Sequence, residues 1–476
     1  MVTHPQAFLV FSLADFQSMA AINRLLLLAI YALLSLYSSA TAQSYIGVNY
    51  GEVADNLPPP DATVRLLRST TISKVRLYGA DPAIIKALAG TGISVVIGVA
   101  NGDIPSLAAD PAAASQWAAA NVLAYLPASS ISVVSVGNEV LSSGDSSLAS
   151  QLLPAMQNLH SALSTAAPSV KISTVNTMAV LAQSDPPSTG AFHSDLIPGL
   201  KGILGFLNET GSPFMINPYP YFAYRSDPRP ETLAFCLFQP NSGRFDGNSK
   251  INYMNMFDAQ VDAVRAALDA TGFPSTAIVV AETGWPYKGD DGEVGASVDN
   301  AKAFTSGLVA HLRSMAGTPR MPGRPVETYL FALYDEDLKP GPTSERSFGL
   351  FKPDLTATYD AGLFRSPSSS TPAAPSAAPK GKKGTMGWCV PRDGVSDQEL
   401  QANLDYVCGA AAMDCRPIQP GGACYLPNTV RSHAAYAMNV LYQTSGRNPW
   451  NCDFRQSATL TSTNPSYEGC VYPGSQ

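Results

Sequence analysis

The chain has 476 residues, 45% hydrophobic and 14% charged, with a formal net charge of −7 and a sequence pI near 5.3. That length exceeds one ordinary domain, and the apolar content is enough for a large core. The acidic balance and the absence of a basic cluster exclude the electrostatic footprint of a nucleic-acid binder; a neutral polymer such as a polysaccharide suits the charge without being selected by it.

At the N-terminus, Arg24 precedes an apolar run over 25–36, and Ala40-Thr41-Ala42 offers a small-residue cleavage site. This is the layout of a secretory signal peptide over 1–42, with Met19 as an alternative start, and the run is too short to span a bilayer comfortably. The mature chain then begins at Gln43. From there, short apolar runs alternate with helical stretches. The runs are 45–50, 74–78, 94–100, 131–140, 171–178, 214–218, 277–282 and 328–334. Most are continuous and rich in Val and Ile, as parallel strands covered on both faces should be. Between them, 111–125, 147–166, 254–270 and 298–315 read as helices, with Asp61, Asp81, Asp110 and Ser297 at N-cap positions. Eight strands alternating with helices predict an α/β chain whose first folded unit, 43–365, is a (β/α)8 TIM barrel. A doubly wound sheet fits less well, since no Gly-x-Gly-x-x-Gly element follows the first strand.

A Ser/Pro/Ala-rich stretch over 366–384 reads as a linker. It is followed, over 385–476, by six of the seven cysteines: Cys389, Cys408, Cys415, Cys424, Cys452 and Cys470. Six cysteines in a short secreted segment predict three disulfides of undetermined pairing, and no Cys-x-x-Cys pair favours zinc. The seventh, Cys236, lies among Phe235, Leu237 and Phe238 and reads as a buried free thiol. The five histidines are scattered without metal-ligand spacing, so neither a metal nor another cofactor is expected. The tail from Val471 to Gln476 has no apolar end of the kind a lipid anchor requires. The expected mature chain is a monomer with no membrane span.

In a barrel of this kind, chemistry sits where the strands end. The fourth run ends Val136-Gly137-Asn138-Glu139-Val140 and the seventh Val280-Ala281-Glu282-Thr283-Gly284-Trp285-Pro286. Each places a carboxylate directly after a buried run, where an unpaired charge is costly. One such residue could be a structural acid; two on nearby strands point to glycoside hydrolysis. There, one carboxyl protonates the leaving oxygen, and the other attacks the sugar carbon or activates water. A separation of about 5–5.5 Å selects retention and a wider gap inversion, a choice the spacing in sequence leaves open.

These segments carry a family resemblance. VGNEV and VVAETGWP, with VNYG in the first run, RLYG in the second, NPYPYF in the sixth and ETYLFALYDED in the eighth, resemble the plant endo-β-1,3-glucanases of glycoside hydrolase family 17 over about residues 44–365. The resemblance implies Glu139 as acid/base, Glu282 as nucleophile, a retaining outcome, and Asn138 bonding the sugar or orienting the nucleophile. Tyr287 departs from the family, which has a small polar residue after Gly-Trp-Pro. Glu327 and Glu336 match two further acidic positions. Glu336 is expected to line the cleft, Glu327 to be an ion-pair member, and Asp335 and Asp337 to be solvated loop charges. Tyr50, Tyr78, Tyr219, Phe222 and Trp285 fall at strand ends and are read as a groove floor that stacks on sugar faces. Among these, Trp285 is ranked strongest and Phe222 weakest. Asn208-Glu209-Thr210 is an N-glycosylation sequon placed in a loop.

The C-terminal wording, with WCV, LDYVCG, CRPIQPGGACYLPNTVRSHAAYAMNVLYQ and CDF, is similar to the X8 domain, carbohydrate-binding module family 43. It implies a small disulfide-rich, mainly helical unit that binds β-1,3-glucan. Residues 428–443 read as its amphipathic helix; Trp388 and Tyr425 are its candidate sugar-stacking residues, and Tyr436 reads as core. The implied function is a secreted, cell-wall endo-hydrolase of β-1,3-glucan. A β-1,3-glucan transglycosylase and a wall-binding protein with little turnover are the alternatives.

Overall fold

The computed structural model describes residues 45–365 and 387–474, except 411–412, 445–448, 453, 455–456 and 468. The signal-peptide reading and the linker reading lie outside the described residues. The eight runs form eight strands: β1 (Ile46–Tyr50), β2 (Lys74–Leu77), β3 (Ser94–Val99), β4 (Ser130–Asn138), β5 (Lys171–Thr177), β6 (Phe214–Asn217), β7 (Ile278–Thr283) and β8 (Glu327–Leu330). They close in the order β1-β8-β7-β6-β5-β4-β3-β2, every pair parallel. The barrel expectation is met.

The apolar content of the strands divides between two cores. Val96, Val133, Val175, Met215, Val279, Ala281 and Tyr329 fill the barrel interior, while alternate residues such as Val75, Val95, Val134 and Ile172 pack outward against the helices. This two-sided burial explains why the strands read as unbroken apolar runs. Helices Pro82–Ala87, Pro111–Asn121 and Val298–Arg313 start where the caps were expected. The Asp81 carboxylate accepts from Ala83 N and Ile84 N at 2.8 Å each. Asp110 accepts from Ala112 N at 2.8 Å, and Ser297 Oγ from Asn300 N at 3.2 Å. Asp61 is a correction. Helix Pro60–Ser69 is entered from Pro59, and Asp61 lies inside its first turn, where its charge faces the positive helix end.

Two other expectations shift. The eighth run forms a regular strand only as far as Leu330; beyond it Phe331 N donates to Thr283 O and Leu333 N to Asn49 O, each at 2.8 Å, and Tyr334 bridges to Phe351. The sequon is not in a loop: Asn208 is exposed in the last turn of helix Ile197–Thr210. Cys236 is a buried free thiol, as expected; its Sγ lies 3.4 Å from Pro220 O, and burial pushes its pKa up to about 12.

The C-terminal unit pairs β9 (Trp388–Pro391) antiparallel with β10 (Ala458–Thr461) and packs them with helices Asp397–Asp405 and Val430–Thr444. Three disulfides join Cys389 to Cys452, Cys408 to Cys415 and Cys424 to Cys470. They support a core too small to be ample on its own, and they fit a protein made in an oxidising compartment. Among the described residues, no helix is long and apolar enough to cross a membrane.

Candidate active site

Glu282 is the last but one residue of β7 and is buried. Its carboxylate is held from two sides: Arg76 Nη1 donates to Oε1 at 2.6 Å, and Tyr219 Oη donates to Oε2 at 2.9 Å. Arg76 comes from β2, where it is a fully buried cation between Val75 and Leu77. It also donates through Nη2 to Asn138 Oδ1 at 2.7 Å, and its guanidinium lies 4.5 Å from the Tyr78 ring centroid. A buried ion pair is tolerated when hydrogen bonds offset most of its desolvation; here both terminal nitrogens of Arg76 are bonded, while its buried Nε has no partner among the described residues. Tyr219 is placed by the exit from β6, where Pro218 and Pro220 flank it and the latter opens helix Pro220–Ser226.

Glu139 follows β4 directly. Its backbone has φ 58, in the left-handed region, an uncommon conformation for a residue with a side chain. The surrounding bonds hold it there. Glu139 N donates to Val175 O at 2.9 Å, while the Asn101 amide brackets Asn138, accepting from its N at 2.8 Å and donating to its O at 3.1 Å. The half-buried Glu139 side chain accepts from Asn217 Nδ2 at 2.7 Å and, among the described residues, makes no ion pair within 4.0 Å. Burial raises its pKa first, and the nearby Glu282 charge raises it further; the Asn217 hydrogen bond works the other way. Two carboxyls therefore face one space in opposed environments, one paired with a guanidinium and one pushed toward its protonated form.

That space is a cavity of about 530 Å³. The catalytic candidates and Asn138, Tyr78, Tyr219, Phe222 and Glu336 line it. Glu336 is buried and accepts from Val53 N at 3.0 Å. It lies so close to Gly51 that an added Cβ would come within 2.2 Å of its carboxyl carbon, so a side chain there would displace the Glu336 carboxylate. Tyr50 and Trp285 are corrections to the groove floor. Tyr50 is buried, with its hydroxyl 3.4 Å from Thr63 Oγ1 and its ring against Tyr334. Trp285 is 1% exposed; its indole N–H donates to Gly295 O at 2.8 Å and its ring packs on Tyr221, Tyr224 and Phe304. Phe222, ranked weakest, is 42% exposed on the cavity rim. The ranking is inverted because the chain turns inward after Thr283 and carries Trp285 into the core.

Sequence reasoning did not single out Arg76, Asn217, Phe331, Phe348 or Lys339. A cation inside a buried parallel strand was the available signal for Arg76. Phe331 and Phe348 form an edge-on pair 5.2 Å apart, and Lys339 lies 4.6 Å from the Phe331 ring centroid. Glu327, as expected, is paired, with Lys74 at 2.6 Å and the Tyr329 hydroxyl at 2.7 Å. Asp335 is a correction: it is half-buried, accepting from the Tyr287 hydroxyl and from Gly349 N at 2.8 Å. Asp337 is exposed and ties down Asp55 and Asn56. Among the described residues, no group of three or more His, Cys, Asp or Glu side chains is arranged to hold a metal ion.

In the C-terminal unit, Trp388 is a further correction. It is 9% exposed and belongs to the small core together with Tyr436, which packs edge-on against Tyr472. Tyr425 is half-buried, with its ring stacked on His433 at 5.6 Å and its hydroxyl accepting from Asn428.

Comparison with known proteins agrees with this geometry. The family model described as glycosyl hydrolases family 17 matches residues 46–362, and that of the X8 domain matches residues 387–459. Glucan endo-1,3-beta-glucosidase 7 of Arabidopsis thaliana is 63% identical over 93% of this chain and 86% of its own length. A glucan endo-1,3-beta-D-glucosidase of Olea europaea is 57% identical over 94% and 97%. Among solved structures, a β-1,3-glucanase and pollen allergen of Cryptomeria japonica is 38% identical, with a TM-score of 0.64 over 67% of this chain and 99% of that one. The chain belongs to glycosyl hydrolases family 17 and carries an X8 domain after its barrel.

Proposed function

We propose that the chain is a secreted endo-hydrolase of β-1,3-glucan that acts with retention of configuration, with Glu282 as nucleophile and Glu139 as acid/base. The observation that carries the reading is the opposed setting of the two carboxyls. Glu282 is locked by Arg76 and Tyr219, while Glu139 is raised by burial and by the Glu282 charge. In the first step Glu139 gives its proton to the glycosidic oxygen as that C–O bond breaks, and a Glu282 oxygen bonds to the anomeric carbon. Forming the ester removes the Glu282 charge that had raised Glu139, so Glu139 is then better suited to its second role. It takes a proton from water as the water oxygen attacks the anomeric carbon and Glu282 leaves. Arg76 and Tyr219 hold the leaving carboxylate in both directions. The relatives named above act on 1,3-β-glucan by name, and the aromatic rim of Phe222 and Tyr219 supplies faces on which a pyranose can stack.

Residues 1–42 would direct secretion, and the X8 domain beyond the linker would hold the barrel at an insoluble glucan, raising its effective concentration there. The test is product analysis on soluble linear β-1,3-glucan. The wild type should release a ladder of short oligosaccharides and Glu282→Gln none. Near-normal turnover by Glu282→Gln would sink the nucleophile assignment, and glucan binding without cleavage by either protein would sink the enzyme reading.

A further inference from the structure

The loop that follows β7 folds back on itself. Gly295 O accepts both the Trp285 indole N–H at 2.8 Å and the Asn300 amide at 2.9 Å. Gly295 has φ 87 and lies against the Tyr224 ring, where an added Cβ would come within 2.5 Å of a ring carbon. The loop so anchored presents two carboxylates to the segment beyond β8. Asp290 accepts from Thr343 N at 3.1 Å and from the Thr343 hydroxyl. Glu293, only 8% exposed, accepts from Ser344 N at 3.0 Å and from the Ser344 hydroxyl, and Arg225 faces it at 3.7 Å. A carboxylate is buried this deeply only when its acceptors are used. Here they bind N–H groups at the start of the helical turn Thr343–Arg346, groups that such a turn leaves without partners of its own.

That turn leads straight into the cavity. Glu345 lines it and pairs with Lys339 at 3.1 Å. Phe348 lines it and packs edge-on, at 6.1 Å, against the Tyr219 ring that bonds Glu282. Glu293 itself touches none of the cavity. We infer that Glu293 is a positioning residue: through Ser344 it sets where the Thr343–Phe348 segment meets the glucan, and so governs productive binding of the chain more than the bond-breaking step. This rests on the reading of the cleft given under Proposed function.

The test is steady-state kinetics of the full chain on soluble linear β-1,3-glucan, with thermal melts alongside. Glu293→Ala should raise KM about tenfold with kcat little changed, the equivalent of losing one charge-assisted hydrogen bond. Glu293→Gln keeps an acceptor for Ser344 N and should restore most of the KM. Phe348→Ala should raise KM as well, and in the double variant the two increases should combine to less than their product. Unchanged KM in Glu293→Ala with only a lowered melting temperature would overturn the inference, as would full multiplicativity with Phe348→Ala. Should Glu293→Ala fail to fold, Ser344→Ala removes the hydroxyl contact alone and should still raise KM about threefold, by the lower end of hydrogen-bond contributions. A wild type that releases no oligosaccharide would strike the cleft reading itself, an outcome distinct from an active wild type insensitive to Glu293.

Discussion

Replacing Asn217 by alanine removes the hydrogen bond from Asn217 Nδ2 to Glu139 Oε1, 2.7 Å long, and leaves the Glu282, Arg76 and Tyr219 contacts in place. A hydrogen bond to a charged group contributes about 1.5–3 kcal/mol net. Glu139 is half-buried, so the lower end applies. At about 1.4 kcal/mol for each tenfold change in ionisation, the loss corresponds to about one pH unit. The sign follows from which form the amide favours. Asn217 donates to the carboxylate and so lowers the Glu139 pKa, and its removal raises it. As the proposed acid, Glu139 has to be protonated to start the reaction, so the alkaline limb of the kcat/KM profile in Asn217→Ala should move up by about one pH unit. The acid limb should stay where it is. The assay is the pH dependence of kcat/KM on soluble β-1,3-glucan, which reports the free enzyme. An alkaline limb that stays put, or moves down, would refute the assignment of Glu139 as the protonated partner.

Tyr219→Phe deletes the phenol that donates to Glu282. It should lower kcat by about tenfold or more, the loss of one hydrogen bond to a charged group, with KM nearly unchanged; a change in KM alone would contradict a role at the nucleophile. Trp388→Ala should destabilise the small domain by about 3–5 kcal/mol, as large-to-small changes in a core do, read as faster proteolysis of that unit while soluble turnover persists. Normal protease resistance with lost glucan binding would return Trp388 to the surface role. His311 is paired with Asp258 at 2.9 Å. Burial, the largest single effect, opposes the imidazolium, but the Asp258 charge and hydrogen bond together outweigh it and the pKa is raised. A raised folded pKa means that the pair's stabilisation is fully present below about pH 6.5, the unfolded value, and fades as pH rises through the folded one. The melting-temperature gap between wild type and His311→Gln should therefore shrink from pH 5.5 to 8.5, by the same linkage; a constant gap would contradict it.

The barrel was legible because parallel strands buried on both faces leave continuous apolar runs, and all eight of these pair. Glu139 and Glu282 stood out for the complementary reason, as carboxylates at the ends of such runs. Arg76 did not stand out because a single basic residue in a run reads as tolerated surface charge until its partners are known; only the closed barrel brings β2 opposite β7 across the mouth. Aromatic residues were read less well. Tyr50, Trp285 and Trp388 are all buried, while Phe222 reaches solvent, since exposure of a residue past a strand end depends on how the chain turns. The disulfide pairing needed Cα atoms within bonding reach, 4.6–5.6 Å here, which spacing in sequence does not give. The tie from Glu293 to Ser344 was invisible for the same reason: it joins two loops 51 residues apart.

The most direct test of the central claim is proton NMR of the full chain acting on soluble linear β-1,3-glucan, followed from the first minutes. The two-step route through Glu282 predicts short oligosaccharides whose new reducing ends appear first as the β-anomer, with the α-anomer growing in only by mutarotation. New ends that appear first as the α-anomer would mean direct attack by water and would contradict Glu282 as nucleophile.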